Sequence, residues 1–204
     1  NPYVDPDAAE ATCGKPEFCE AGNLAQRKSI VLLKNGTAEG PVLPLRGRPK
    51  VYVENMNNEI VSRYADVVAT PQDADFAILR LRTPWRPMGR AYLEKLFHQG
   101  DLNFEAPEKA RILQVLDAVP TIVNIYLERA AVIPEIAERC HALLGNFNAT
   151  DDAVLDVIFG AFNPGGRLPF ELPLSMTAVR AQKEDVPYDS EDPLFPFGHG
   201  LRYE

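Results

Sequence analysis

Short apolar runs alternate with amphipathic stretches along most of this chain. The runs predict strands at 50–54, 66–69, 75–81, 120–127 and 141–147. Apolar positions at helical spacing predict helices at 21–33, 58–65, 106–118, 131–140 and 151–160. No period fits residues 1–20, which we expect to be irregular. Strands that alternate with short helices indicate an α/β fold, and we predict a three-layer α/β/α sandwich with a mostly parallel sheet.

One connection is far longer than the others. It runs from Arg82 to Phe104, after the predicted strand 75–81. Ligands of parallel sheets bind beyond the carboxyl ends of the strands, and long loops in compact domains are commonly functional. An indole face suits a sugar ring, whose hydroxyls seek polar side chains. The loop offers both kinds of group, in Arg82, Trp85, Glu94, His98, Gln99 and Asp101. The alternative is that its aromatic residues only pin the loop to the domain.

Composition excludes some partners. The chain has 204 residues, 46% of them hydrophobic, and a formal net charge of −8. Nucleic acids and anionic membranes require clustered Lys and Arg, whereas the basic residues here are scattered. No apolar run approaches the roughly 18 residues of a membrane span. We therefore expect neither nucleic acid nor membrane as a partner.

The cysteines leave one question open. Cys13 and Cys19 lie close together and could close a small disulfide loop, which would imply an oxidising compartment. Cys140 ends a predicted helix and is expected to be a buried thiol. No further ligands stand near the first two at zinc spacing, and the common nucleotide-binding and metalloprotease motifs are absent. We predict no metal and no cofactor.

The last third of the chain is rich in glycine, proline and aromatic residues. Segments 159–170 and 193–201 follow neither helical nor strand periodicity and predict irregular backbone laid over the folded body. His199 stands between two glycines in the second segment. Its side chain either contacts a ligand or bonds the backbone within a structural turn.

Three stretches resemble a known family. They are KSIVLLKN at 28–35 with LPL at 43–45, DVIFG at 156–160 with NP at 163–164 and GRLP at 166–169, and LFPFGHGLRY at 194–203. In this order they are similar to the opening, central and closing motifs of the C-terminal α/β sandwich domain of glycoside hydrolase family 3. That family includes β-glucosidases and β-xylosidases.

The resemblance implies an exo-acting, retaining β-glycosidase with a two-domain active site. An N-terminal TIM barrel would bind the terminal sugar of a β-linked oligosaccharide or glycoside and supply an aspartate nucleophile. About 200 residues cannot hold that barrel as well as the sandwich, so this chain alone is expected to be inactive. We expect 1–27 to be a linker from the barrel, 28–173 the sandwich and 174–204 a wrapping tail. The family's frequent secretion implies a secreted or periplasmic protein.

The resemblance also implies that the loop after a sheet strand lends the general acid/base. Relatives have Gly-Glu directly after that strand, where this chain has LRTPW at 81–85. Glu94 is then the candidate acid/base, and Glu105 is a weaker alternative. The residues expected to bind sugar are Arg82, Trp85, His98, Gln99 and Asp101. Two rival hypotheses are a sugar-binding domain that lacks the acid/base and a domain that only braces the barrel.

Overall fold

A six-stranded, mostly parallel sheet forms the centre of the molecule. The fold is that of a computed structural model, which describes residues 3–203 apart from the side chain of residue 95. The strands are β1 (Val31–Asn35), β2 (Lys50–Glu54), β3 (Asp66–Val68), β4 (Phe76–Arg82), β5 (Thr121–Tyr126) and β6 (Ala142–Asn146). Their order is β1-β6-β5-β4-β2-β3, and only β1 runs antiparallel to its neighbour. The predicted mostly parallel sheet is confirmed.

Helices cover both faces of this sheet. The described α-helices are α1 (Pro6–Thr12), α2 (Pro16–Ser29), α3 (Asn58–Val61), α4 (Ala106–Ala118), α5 (Pro134–Arg139), α6 (Asp151–Ile158) and α7 (Met176–Ala181), of which α1, α2 and α7 bury no residue. Helices α4 and α5 share one buried cluster with Val123 and Ile125 of β5. Helices α3 and α6 share the other cluster with Ile122, and α2 packs against α6. Because successive strand residues point to opposite faces, β5 serves both cores, and the predicted three-layer sandwich is confirmed.

The prediction failed at the N-terminal end. Residues 6–12 and 16–20 are helical rather than irregular, because α2 begins at Pro16 and not at residue 21. Asp5 accepts hydrogen bonds from the first turn of α1, and Pro6 is its first helical residue. The helix predicted at 21–33 ends at Ser29, and the next four residues, all buried, lead into and along β1. Four consecutive apolar side chains cannot all reach the core from a surface helix, whereas a strand between two layers buries both of its faces.

The C-terminal segment folds back over the sheet. Strands β7 (Leu172–Pro173) and β8 (Pro193–Phe195) pair with each other, and Leu201 N–H donates to the Leu32 carbonyl at 2.8 Å. His199 Nε2 lies 2.8 Å from the Leu33 carbonyl oxygen. That contact confirms the second interpretation of His199, in which its side chain bonds the backbone within a structural turn. Neither Gly166 nor Gly200 has room for a Cβ, because the Ile30 carbonyl lies against Gly166 and the Gly166 carbonyl lies against Gly200.

The three cysteines are free thiols in the structure. Cys13 caps the end of α1, and Cys19, in α2, lies 3.5 Å from the Gly14 carbonyl oxygen. Both are exposed, and Cys140 is buried. The inference of an oxidising compartment from a bridge therefore has no support in the fold.

We expect Cys13 and Cys19 to react with a thiol reagent in the native protein and Cys140 to react only after unfolding. Burial raises the pKa of the Cys140 thiol to about 11, so near neutral pH this thiol is protonated as well as shielded. Titration is expected to count two thiols before denaturation and three after it. A native count of zero that rises to one on unfolding without reductant would show that Cys13 and Cys19 are bridged.

Candidate functional site

The long connection after β4 is fixed at both ends. Thr83 N–H donates to the Tyr126 carbonyl at 3.1 Å, which extends the pairing of β4 with β5 by one residue. At the far end Phe104 is only 3% exposed and belongs to the core shared with α4. Between them, Arg86 N–H donates to the Gln99 carbonyl at 2.8 Å and draws the two arms of the loop together. The loop thus stands at the carboxyl edge of the sheet.

This loop encloses a cleft of about 480 Å³, which we call the loop cleft. Its polar and aromatic lining is Arg82, Thr83, Trp85, Arg86, Asp101, Asn103, Glu105 and Glu108. Thr83 is 1% exposed, and its hydroxyl has no hydrogen-bond partner among residues 3–203. Burying a hydroxyl without a partner costs free energy, so such a group at a cleft wall points to a ligand that would complete it.

The structure brings together only part of the predicted sugar-binding set. Arg82, Trp85 and Asp101 line the loop cleft, but His98 and Gln99 do not. The imidazole of His98 instead stacks behind the indole of Trp85, with ring centroids 4.1 Å apart and planes 13° from parallel. One face of Trp85 is therefore covered, and the residue is still 41% exposed. The Gln99 amide donates to the Glu94 carbonyl at 2.9 Å and shapes the loop.

The two predicted acid/base residues have different surroundings. The Glu94 carboxylate accepts backbone hydrogen bonds from Ala91 and Arg90, and these lower its pKa below the usual range. It is exposed and lies outside the lining of the loop cleft. Glu105 lines the cleft and pairs with the Arg86 guanidinium at 3.0 Å. A general acid must hold a proton at working pH, and the surroundings of Glu94 in this conformation favour its carboxylate form.

Sequence reasoning missed Thr83, Asn103 and Glu108, which line the cleft, and two residues that support it from the neighbouring strand. Glu128 and Arg129 follow β5, the strand beside β4. The Glu128 carboxylate bonds His98 Nδ1, and its side chain is 18% exposed. The Arg129 guanidinium donates to the carbonyls of His98 and Gly100, at 3.0 and 2.6 Å. The only signal in the sequence was that both residues follow a buried strand, whose carboxyl end shares an edge with that of β4.

Opposite charges balance across the loop cleft. Asp101 accepts a hydrogen bond from Arg180 of α7 at 3.1 Å, and Glu105 is paired with Arg86. Arg82 and Glu108 form no ion pair with any side chain that the structure describes. Within the described part of the chain, no group of three or more His, Cys, Asp and Glu side chains could hold a metal ion. The cleft is thus polar, aromatic and close to neutral, which suits an uncharged polyhydroxylated ligand better than an ion.

A doubly wound α/β sandwich with a long loop at its carboxyl edge defines the class, and comparison with known proteins gives the family. Residues 50–203 match the model of the glycosyl hydrolase family 3 C-terminal domain. The chain belongs to this family. It is 43% identical to "Beta-glucosidase C" of Emericella nidulans, over 100% of the chain and 33% of that protein. It is 34% identical to "Periplasmic beta-glucosidase/beta-xylosidase" of Dickeya chrysanthemi, over 98% of the chain and 31% of that protein.

Solved structures share the fold. A β-glucosidase from Erythrobacter marinus superposes with a TM-score of 0.77 at 21% identity, over 99% of this chain and 37% of that one. A β-glucosidase from Listeria innocua in complex with glucose gives 0.73 at 19% identity, over 94% of this chain and 34% of that one. This chain therefore spans about a third of the length of its relatives. No helix within residues 3–203 combines the length and apolarity needed to cross a membrane.

Proposed function

We propose that this chain is the C-terminal domain of an exo-acting, retaining β-glycosidase of the β-glucosidase type and that it supplies one wall of the sugar site. An N-terminal barrel would complete that site and provide the nucleophile. The substrate class would be a β-linked oligosaccharide or glycoside. We also propose the domain limits given above, 1–27, 28–173 and 174–204, and a secreted or periplasmic location. A relative named as periplasmic supports the location.

The loop cleft is the observation that carries this proposal. Trp85 offers an open aromatic surface, since His98 covers only one of its faces. Around it stand Asp101, Arg82 and the unpartnered hydroxyl of Thr83, which can bond sugar hydroxyls as donors and acceptors. Aromatic stacking with a few convergent polar groups is how proteins bind neutral sugars.

Glu94 is the proposed acid/base, with Glu105 as the alternative. As acid, the residue would donate a proton to the leaving-group oxygen; as base, it would then activate water against the glycosyl-enzyme. The backbone bonds that hold the Glu94 carboxylate favour the second role, so the first would require this part of the loop to rearrange. Glu105 lies at the cleft already but would have to leave Arg86.

Azide rescue tests this assignment. In the full-length polypeptide that carries this chain, we expect Glu94→Ala to slow hydrolysis of glycosides with poor leaving groups by about 10²–10⁴-fold, the usual contribution of general acid–base catalysis. For aryl glycosides with good leaving groups, kcat/KM should fall much less, because glycosylation then needs no acid. Their kcat should fall because water lacks its base in deglycosylation, and azide, which needs no base, should restore kcat by forming the glycosyl azide. Glu105→Ala serves as the matched variant. Unchanged turnover in Glu94→Ala would remove Glu94 from the mechanism.

A non-catalytic sugar-binding domain is the second candidate function. The observation that favours it is that neither proposed acid/base residue is free: Glu94 is held by the loop backbone and Glu105 by Arg86. If this function is correct, both alanine variants keep their activity in the full-length polypeptide. Trp85→Ala would still raise KM.

A further inference from the structure

The direction in which successive strands are added to the sheet reverses once, between β2 and β4. Strand β3 follows β2 toward one edge, and the chain then crosses back so that β4 pairs with the other side of β2. The connection after β2 carries α3 on one face of the sheet, and those after β4 and β5 carry α4 and α5 on the other. The connections that leave the carboxyl ends of β2 and β4 therefore run to opposite faces of the sheet. In open α/β sheets such a reversal creates a crevice in which ligands bind.

A second cleft, of about 460 Å³, lies at this reversal, and we call it the switch-point cleft. It is lined by Asn55, Arg80, Arg82, Glu108, Tyr126 and Asn148, with Leu81. Its volume lies within the range of small-molecule sites. These residues follow or end four neighbouring strands, β2, β4, β5 and β6, and α4 contributes Glu108.

The polar groups around this cleft are unevenly satisfied. The Arg80 guanidinium bonds Asp151 and the Ala149 carbonyl. By contrast, Glu108 and Asn148, which are exposed, and Tyr126, which is partly buried, have no side-chain hydrogen bond or ion pair with any side chain or backbone group that the structure describes. The Arg82 guanidinium lies over the ring of Tyr126, 5.5 Å from its centroid, and has no hydrogen bond to a described group. Carboxylate, phenol, amide and guanidinium groups thus line one cleft without hydrogen bonds or ion pairs to described protein groups, and they are open to a ligand.

The charges and functional groups of the switch-point cleft limit the class of ligand that it can bind. Arg80 is neutralised by Asp151, and the charges of Arg82 and Glu108 are opposite. A phosphate or carboxylate ligand would meet Glu108, and a cation would meet Arg82. A neutral ligand with many hydroxyls can bond all four unpaired groups, and the Tyr126 ring adds an apolar surface. This combination is typical of a sugar site.

The two clefts are contiguous because Arg82 and Glu108 line both of them. We propose that the switch-point cleft is a second sugar-binding site, so that one β-linked glycan runs from Trp85 past Arg82 to Tyr126 and Asn148. The glycan class rests on the proposed function, whereas the site itself rests on the reversal and its unpaired groups. The domain would then select longer glycans over monosaccharides.

Two substitutions remove polar groups from the switch-point cleft without disturbing the backbone. Asn148 has φ of +67°, a conformation that glycine adopts freely, so Asn148→Gly removes the amide and keeps the turn. Tyr126→Phe removes the hydroxyl and keeps the ring. Tyr188→Phe is the matched control, since this tyrosine is half-exposed, stacks on Phe197 and lies outside both clefts.

The test is titration of the 204-residue chain with glucose and with cellotetraose, followed by calorimetry and by amide and indole NMR signals. Cellotetraose is expected to shift both the Trp85 indole and the Asn148 side-chain amide, and glucose to shift Trp85. In the Asn148→Gly/Tyr126→Phe variant, cellotetraose affinity should fall by about tenfold, equal to about 1.4 kcal/mol, with glucose affinity unchanged. Tyr188→Phe should bind both sugars as the parent chain does.

Other outcomes separate this site from the proposed function. Equal cellotetraose affinity in the parent chain and the double variant, or a cellotetraose response confined to Trp85, would overturn the second site. The same holds if inorganic phosphate, rather than cellotetraose, shifts the Asn148 amide. If cellotetraose shifts Asn148 while neither sugar shifts Trp85, the second site stands and the proposed role of the loop cleft fails. The NMR response of the parent chain decides these cases even if the double variant does not fold.

Discussion

Replacing Gly166 with alanine is expected to destabilise the domain by roughly 3 kcal/mol, the upper end of ordinary overpacking costs. A Cβ at this position would lie 2.5 Å from the carbonyl oxygen of Ile30 and 2.8 Å from its carbonyl carbon. Both atoms belong to the backbone just before β1, so no side-chain rotation relieves the overlap. Gly200→Ala is expected to act similarly, because its Cβ would overlap the carbonyl of Gly166. Denaturant midpoints of the variants measure the effect.

Gly22→Ala is the control for this prediction. Gly22 lies within α2, and a Cβ there would meet nothing within 4 Å. The same substitution should stabilise the chain at this position by about 0.5–1 kcal/mol, because alanine loses less conformational entropy in a helix. Midpoints for Gly166→Ala and Gly200→Ala equal to that of the parent chain would contradict these close approaches, of the Ile30 backbone to Gly166 and of the Gly166 carbonyl to Gly200.

Replacing Trp85 with alanine is expected to weaken sugar binding about thirtyfold, the effect of removing a contact worth about 2 kcal/mol. The indole is the aromatic surface of the loop cleft and has one face covered by His98. Alanine removes the stacking surface and leaves Asp101 and Arg82 in place. Calorimetric titration of the chain with glucose or cellotetraose measures the loss. Tyr92→Ala is the control, since Tyr92 is 77% exposed on the same loop and does not line the cleft.

A companion variant tests how the indole is held. Trp85 is the only tryptophan of the chain, so its fluorescence reports this site alone. Glu128→Gln removes the negative charge that orients His98, and we expect Trp85 to become more accessible to acrylamide and the sugar affinity to fall by less than in Trp85→Ala. Glu135→Gln removes another partly exposed, paired glutamate, which bonds Lys109 instead. If acrylamide reaches Trp85 in Glu128→Gln and in Glu135→Gln to the same extent as in the parent chain, His98 is not positioned by Glu128.

The sequence predicted the layers of the fold well because the interior strands lie between two helical layers. The nearly continuous apolar run at 120–127 predicted a strand. The structure has β5 there, with five of its six residues buried. The N-terminal third was harder, because the run at 30–33 is apolar without a period and follows a helix directly. Pairing with β6 makes it a strand, and that partner lies more than a hundred residues away.

For the candidate site, the sequence predicted which loop carries it but not how the residues of that loop are arranged. Arg82, Trp85 and Asp101 were chosen for their chemistry and do line the cleft. His98 and Gln99 had suitable chemistry too, but the bridge between Arg86 and Gln99 and the stacking on Trp85 give them supporting positions. Glu128 and Arg129 could not be linked to this loop from the sequence, because the link exists only where β4 and β5 end side by side.

The bond between Leu201 and Leu32 has a consequence beyond the fold of the tail. Strand β1 is the outermost strand of the sheet on its side, and three of its five residues are buried and apolar. An uncovered strand of this kind is a template for intermolecular pairing and aggregation. The backbone of Leu201 occupies the free side of β1 at Leu32. The closing motif of the chain therefore protects the sheet edge, and its integrity bears on the solubility of the protein.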